Sequence, residues 1–215
     1  MGTTPSMETR TLLYGEWHPV VRDPLDLARI AFVVGFVVLL LLGESGAVNV
    51  GVAAAAVVGV RFLRLPRLFD LAFIAVMALT GWGEALRFYD RFAHYDVLVH
   101  FLVPLLGAPV VYIALARLDT LPDPSDARGS RRHLAGIFVV TLALGLAIGA
   151  AWEVLEWTLD EVLGSELTGG ESDTIGDLVA DTVGALCGGV LIVVWTTSGW
   201  GTIRRLPGGG ESRDD

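Results

Sequence analysis

The sequence predicts an all-α fold, a polytopic membrane helical bundle of about six transmembrane helices, on three observations. Hydrophobic residues make up 53% of the chain and charged residues only 18%, a balance poorer in charge than soluble domains show. Mean hydropathy is +0.61. The apolar residues also gather in blocks that approach the roughly 20 needed to cross a bilayer as a helix, instead of recurring at amphipathic spacing.

The blocks are 27–42, 47–62, 68–86, 96–118, 134–159 and 174–197, with no soluble domain between any two. The expected organisation is a cytoplasmic N-terminal segment 1–26, a six-helix transmembrane domain 27–198 and a cytoplasmic tail 199–215. Asp23-Pro24-Leu25-Asp26 opens the first helix with a capping Asp, a first-turn Pro and an acid near the positive helix end. Residues 1–26 are polar and lack a short apolar region ending in small residues, so the first helix is expected to stay as an anchor.

All fifteen basic residues are Arg. Arg61, Arg64 and Arg67 stand at or just after the end of block two, Arg117, Arg128, Arg131 and Arg132 at or after the end of block four, and Arg204 and Arg205 after block six; the loops after blocks one and five have none. The positive-inside rule then puts both termini in the cytoplasm of a plasma-membrane protein and loops one, three and five outside. A net charge of −9 without Lys argues against a nucleic-acid partner. The partner that composition implies is the lipid bilayer. A single Cys, Cys187, excludes an intrachain disulfide and suits a small buried apolar role.

Carboxylates nevertheless recur inside the last three blocks. Asp173, Asp177 and Asp181 stand every fourth residue on helix six, Glu153, Glu156 and Asp160 share a face of helix five, and Asp96 and His100 share a face of helix four. At ~1.5 Å per residue, Asp177 lies ~6 Å and Asp181 ~12 Å below Asp173, while Glu156 and Glu153 lie ~6 and ~10 Å below Asp160. With helices four and six entering from outside and five leaving towards it, all three deliver acid and imidazole to one outer layer. Gly145 and Gly149 on helix five, with Gly184 and Gly188 on helix six, offer small surfaces for close approach of that pair.

Asp173 reads as a helix cap, Asp90 and His94 as solvated loop residues, and Trp82, Trp152, Trp157, Trp195 and Trp200 as an aromatic belt. Asp96, His100, Glu153, Glu156, Asp177 and Asp181 remain. Too anionic to persist bare in a low dielectric, they must take up protons, pair with Arg87 or Arg91, or bind a cation. Oxygen ligands with one imidazole suit Mg²⁺, Mn²⁺ or Zn²⁺.

"YDVLVHFLVPLLG", "GAAWEVLEW" and "DTIGDLVADTVGALCGG" together resemble the YjdF-like membrane proteins and, more distantly, the VanZ-like proteins of teicoplanin-resistance type. The resemblance covers roughly residues 95–189, and implies that Asp96, His100, Glu153, Glu156, Asp177, Asp181 and Gly184 occupy the motif positions. Glu156 stands where VanZ-like proteins often have Gln, and Asp181 where they often have Asn. The resemblance names no reaction.

Two functions and a structural role stay open. A metal-dependent enzyme would polarise a phosphoryl or carbonyl group on a lipid headgroup or envelope precursor, with His100, Glu153 and Asp177 as the catalytic candidates. A cation or proton transporter would use the same acids as the outer end of a pathway, but residues 137–147 and 190–197 hold no ionisable side chain to continue it. A non-catalytic protein would use them as a polar lock between helices.

Overall fold

The computed structural model describes residues 24–63, 65–124, 130–164 and 169–198. Most of the expected terminal segments, together with Arg64, Arg128, Arg204 and Arg205, lies outside the described residues. Within them the chain forms helices and no strand: α1 (Pro24–Leu42), α2 (Ala47–Arg61), α3 (Arg67–Met77), α4 (Phe88–Arg91), α5 (Tyr95–Arg117), α6 (Arg131–Leu163) and α7 (Glu171–Ser198). Helix α3 runs on through a π-helical stretch, Ala78–Trp82, and a last turn, Gly83–Ala85.

Among the described residues, five helices are long and apolar enough to cross a membrane. The sixth expected span, α2, has 15 residues and at ~1.5 Å each reaches only ~22 Å, short of a ~30 Å hydrocarbon core. It still runs antiparallel between α1 and α3. A Cβ at Gly46 would strike Ala85 at the end of α3, while Arg61 at the far end of α2 pairs with Asp26 at the start of α1. Helix α6 departs in the other direction, with 33 residues, ~50 Å, so its end turns project beyond any hydrocarbon layer.

The helices point apolar side chains outward as well as inward, as a lipid solvent allows. On α7, Ile175, Val179, Val183 and Val190 are exposed, while Asp177, Asp181, Gly184 and Gly188 turn inward on the opposite face. A Cβ at Gly188 would lie 2.9 Å from the Leu105 carbonyl oxygen, and one at Gly184 would collide with that of Phe101. Gly184 and Gly188 therefore seat α7 on α5, not on α6 as the small-residue pattern suggested. Helix α6 meets α7 through Gly145, against Ala185, and Gly149, against the Asp181 side chain. Pro109 has no N–H to give the Leu105 carbonyl, which leaves that oxygen free for a close backbone approach.

Leu65, Phe69, Val110, Ile113, Ile137 and Ile192 form a buried core joining the start of α3 to the last turns of α5 and α7 and the start of α6. A second core, Phe32, Val50, Ala53, Ala54, Val57 and Ile74, fills the α1–α3 layer.

At the same end as the first core lies a group of charges that the sequence reading passed over. Arg29 donates to Asp26 at 3.1 Å, to Asp70 and to the Val57 carbonyl at 3.0 Å. Arg61 grips Asp26 with two bonds, 2.7 and 3.0 Å. Asp26, Arg29 and Asp70 are buried. Arg29 and Asp70 were visible as ionisable residues inside apolar blocks, the usual sign of an intramembrane partner.

Candidate metal centre

At the opposite end, the first two turns of α5, the last three of α6 and the first three of α7 bring the six singled-out side chains together around His100. Its ring is buried, 3% exposed, as are Glu153, Asp177 and Asp181. Asp96 and Glu156 are half-buried. Nδ1 of His100 lies 3.3 Å from both carboxylate oxygens of Asp181 and 3.6 Å from Glu153 Oε1. Nε2 faces Asp96 Oδ1 at 3.7 Å.

Two triads have one ligand atom per residue within 4.8 Å of one another: Asp96, His100 and Asp177, and His100, Glu153 and Glu156. Opposite ligands on a cation with ~2.1 Å bonds are ~4.2 Å apart, so small side-chain rotations suffice to close either triad.

Three buried polar atoms in this group, His100 Nε2, Glu153 Oε1 and Asp177 Oδ1, have no hydrogen-bond partner. A buried donor or acceptor left so is costly, about 1–3 kcal/mol and more for charged groups. No arginine among the described residues offsets them: Arg87 pairs instead with exposed Asp90 at 2.7 Å, and Arg91 is exposed. One of the three expected ways to neutralise the cluster is thereby removed.

Several neighbours were missed or misjudged from sequence. Trp152 does more than mark a lipid interface: its Nε1 donates to Glu156 Oε1 at 2.7 Å, and its ring stands edge-on to His100 with centroids 6.3 Å apart. Its position one residue before Glu153 and four before Glu156 was the available signal. Trp82 fills the notch at Gly35 and Trp195 packs edge-to-face on Phe69, whereas exposed Trp157 fits a belt. Trp200 is outside the described residues. Asp173 is not the cap residue itself; it sits in the first turn of α7 and accepts from Gly169 N–H at 3.0 Å. Asp90 and His94 are exposed, as expected.

The short helix α4 lies at the mouth, between Arg87 and His94, both in the left-handed region with φ of 57° and 65°. Such non-glycine residues cost stability and turn the chain sharply. Tyr89 of α4 stacks edge-to-face on Tyr95 at 4.9 Å, and Tyr95 is anchored through its hydroxyl to the Leu79 carbonyl of the π-helical stretch, 2.9 Å away. Burial first, then the nearby Asp96 carboxylate, raises the Tyr89 phenol above its ordinary value, so it stays protonated and able to donate. Beneath His100, Val99, Val103, Ile148, Gly149, Trp152 and Asp181 line a cavity of about 10 Å³, room for about one water-sized particle.

Residues 27–198 match the family described as predicted membrane protein (DUF2238). The chain belongs to that family. The match takes in every described helix but the first three residues of α1, so all six clustered residues of this DUF2238 protein lie inside it. An uncharacterised protein of Thermotoga maritima is 27% identical over 103 residues, 47% of this chain and 49% of the relative. The chain thus spans about half the length of the curated relative it matches. No solved structure matches this DUF2238 chain.

Proposed function

We propose that this multi-pass DUF2238 protein is a divalent-metal-dependent enzyme of the outer membrane leaflet, acting on a lipid headgroup or an envelope precursor. The observation that carries the reading is the set of buried atoms without a hydrogen-bond partner on His100, Glu153 and Asp177, which converge where five carboxylates meet one imidazole. Mg²⁺, Mn²⁺ or Zn²⁺ would supply the missing positive charge and polarise a phosphoryl or carbonyl oxygen. A carboxylate left outside the coordination sphere would move the proton. The YjdF-like resemblance is compatible with membership of DUF2238, and the VanZ-like one has no matching support.

The transporter reading is weaker, because the buried Leu65, Phe69, Ile137 and Ile192 core stands beyond the cluster and carries no charged side chain to pass a charge along. Thermal unfolding of the purified full chain with and without Mg²⁺, Mn²⁺ or Zn²⁺ tests the proposal. Metal should raise the midpoint in step with occupancy, and Asp177→Asn should abolish the rise. If no metal stabilises the wild type and Asp177→Asn is the more stable protein, the carboxylates are a protonated polar lock instead.

A further inference from the structure

The two nitrogens of His100 divide the six residues into two groups. Nδ1 has Asp181 within hydrogen-bonding distance through both oxygens, 3.3 Å each; Glu153 at 3.6 Å is farther. Nε2, buried equally, has no hydrogen-bond partner and its nearest carboxylate is Asp96. An imidazole that donates from one nitrogen presents its lone pair on the other.

Asp181 is held in place to accept that bond. It is 2% exposed, and its carboxylate occupies the volume that a side chain at position 149 would take, since a Cβ there would collide with it. Gly149 thus makes room on α6 for a carboxylate from α7 that reaches a ring on α5.

Resting on the metal reading above, we infer that Asp181 is a positioning residue and not a ligand. It accepts from Nδ1–H of His100, fixes the tautomer and the ring plane, and directs Nε2 to a cation that Asp96 and Asp177 complete. These three residues form one of the two compact triads. Partners of this kind behind a metal-binding histidine raise its basicity, and removing them weakens metal affinity 10- to 100-fold without changing the ligands. Three protein ligands leave coordination positions open for a substrate oxygen. Glu153 and Glu156, the latter tied to Trp152 at 2.7 Å, remain outside the shell and free to handle protons.

Titration of the detergent-solubilised full chain with Co²⁺, followed by its visible absorption, separates these roles. The wild type should take up Co²⁺ with a defined spectrum; Asp181→Asn should give the same spectrum with affinity lowered roughly 10- to 100-fold; Asp177→Asn should change the spectrum or lose it. Gly149→Ala, which displaces the Asp181 carboxylate without touching a ligand, should reproduce the affinity loss and guards against misfolding of any one variant. A changed spectrum in Asp181→Asn would make Asp181 a direct ligand, and unchanged affinity would make it merely structural; either overturns the inference while the metal site stands. No Co²⁺ uptake by folded wild type removes the metal reading itself.

Discussion

The two ends of the bundle each bury ionisable side chains, but they balance them differently. At the Asp26 end two arginines face two aspartates among the described residues, and Arg29 also donates to the Val57 carbonyl. At the His100 end five carboxylates surround one imidazole, and no arginine among the described residues reaches them. A group whose charges are paired is finished once folded and serves to fix α1, α2 and α3 against one another. A group with surplus negative charge requires something from outside, a proton or a cation. Function is therefore sought at the second end and stability at the first.

The coarsest way to break the comparison concerns which end faces out. Cysteines at Ser172 and Thr120, both exposed, in a Cys187→Ala background, should be labelled from opposite sides. An impermeant reagent on intact cells should reach Ser172→Cys and not Thr120→Cys; the reverse pattern would move the acidic cluster to the cytoplasmic leaflet.

Next in size is the loss of balance. Arg29→Met takes a cation away from buried Asp26 and Asp70 and should cost about 3–5 kcal/mol, most of it recovered in Arg29→Met/Asp70→Leu. Reversible denaturation in detergent measures both. Equal stability of wild type and Arg29→Met would mean that the charges at this end are not coupled.

Smaller again is the close approach of α7 to α5. Gly184→Ala drives a methyl into the Phe101 carbonyl and should cost about 1–3 kcal/mol, the usual range for overpacking, while lowering any stabilisation by metal. Gly59→Ala, where nothing lies within 4 Å of the added carbon, should be neutral or stabilise by up to about 1 kcal/mol. If both substitutions behave alike, the glycine contact does not hold the cluster together. Smallest of all is Asp173→Asn, which keeps an acceptor for Gly169 N–H and loses only a charge near a helix N-terminus. It should shift stability by less than about 1 kcal/mol and leave the metal response intact.

Much of this was legible in the sequence because lipid imposes simple rules. Apolar blocks announced the helices to within a few residues, and i, i+4 spacing put Asp96 with His100 and Asp177 with Asp181 on common faces. Spacing does not say which helix a face meets. Gly184 and Gly188 were expected against α6 and pack on α5, because helix order in space is set by which backbones approach most closely, a tertiary property. The bounds of α2 were legible to within one residue, 47–62 expected against Ala47–Arg61; at 15 residues it falls short of the ~20 that a span needs. The Asp26, Arg29, Arg61 and Asp70 group escaped notice because its members come from three helices, with up to 41 residues between bonded partners. Trp152 was hidden by a general rule about membrane aromatics that holds for Trp157 and fails for it.

Element-resolved metal analysis of the protein, purified without chelator, tests the difference between the two ends most directly. The surplus charge at the His100 end predicts about one equivalent of a divalent metal in the wild type and in Arg29→Met/Asp70→Leu, where only the balanced end is altered, and none in Asp177→Asn. Wild-type protein that is folded yet metal-free, and stays so after dialysis against Mg²⁺, Mn²⁺ and Zn²⁺, would contradict it.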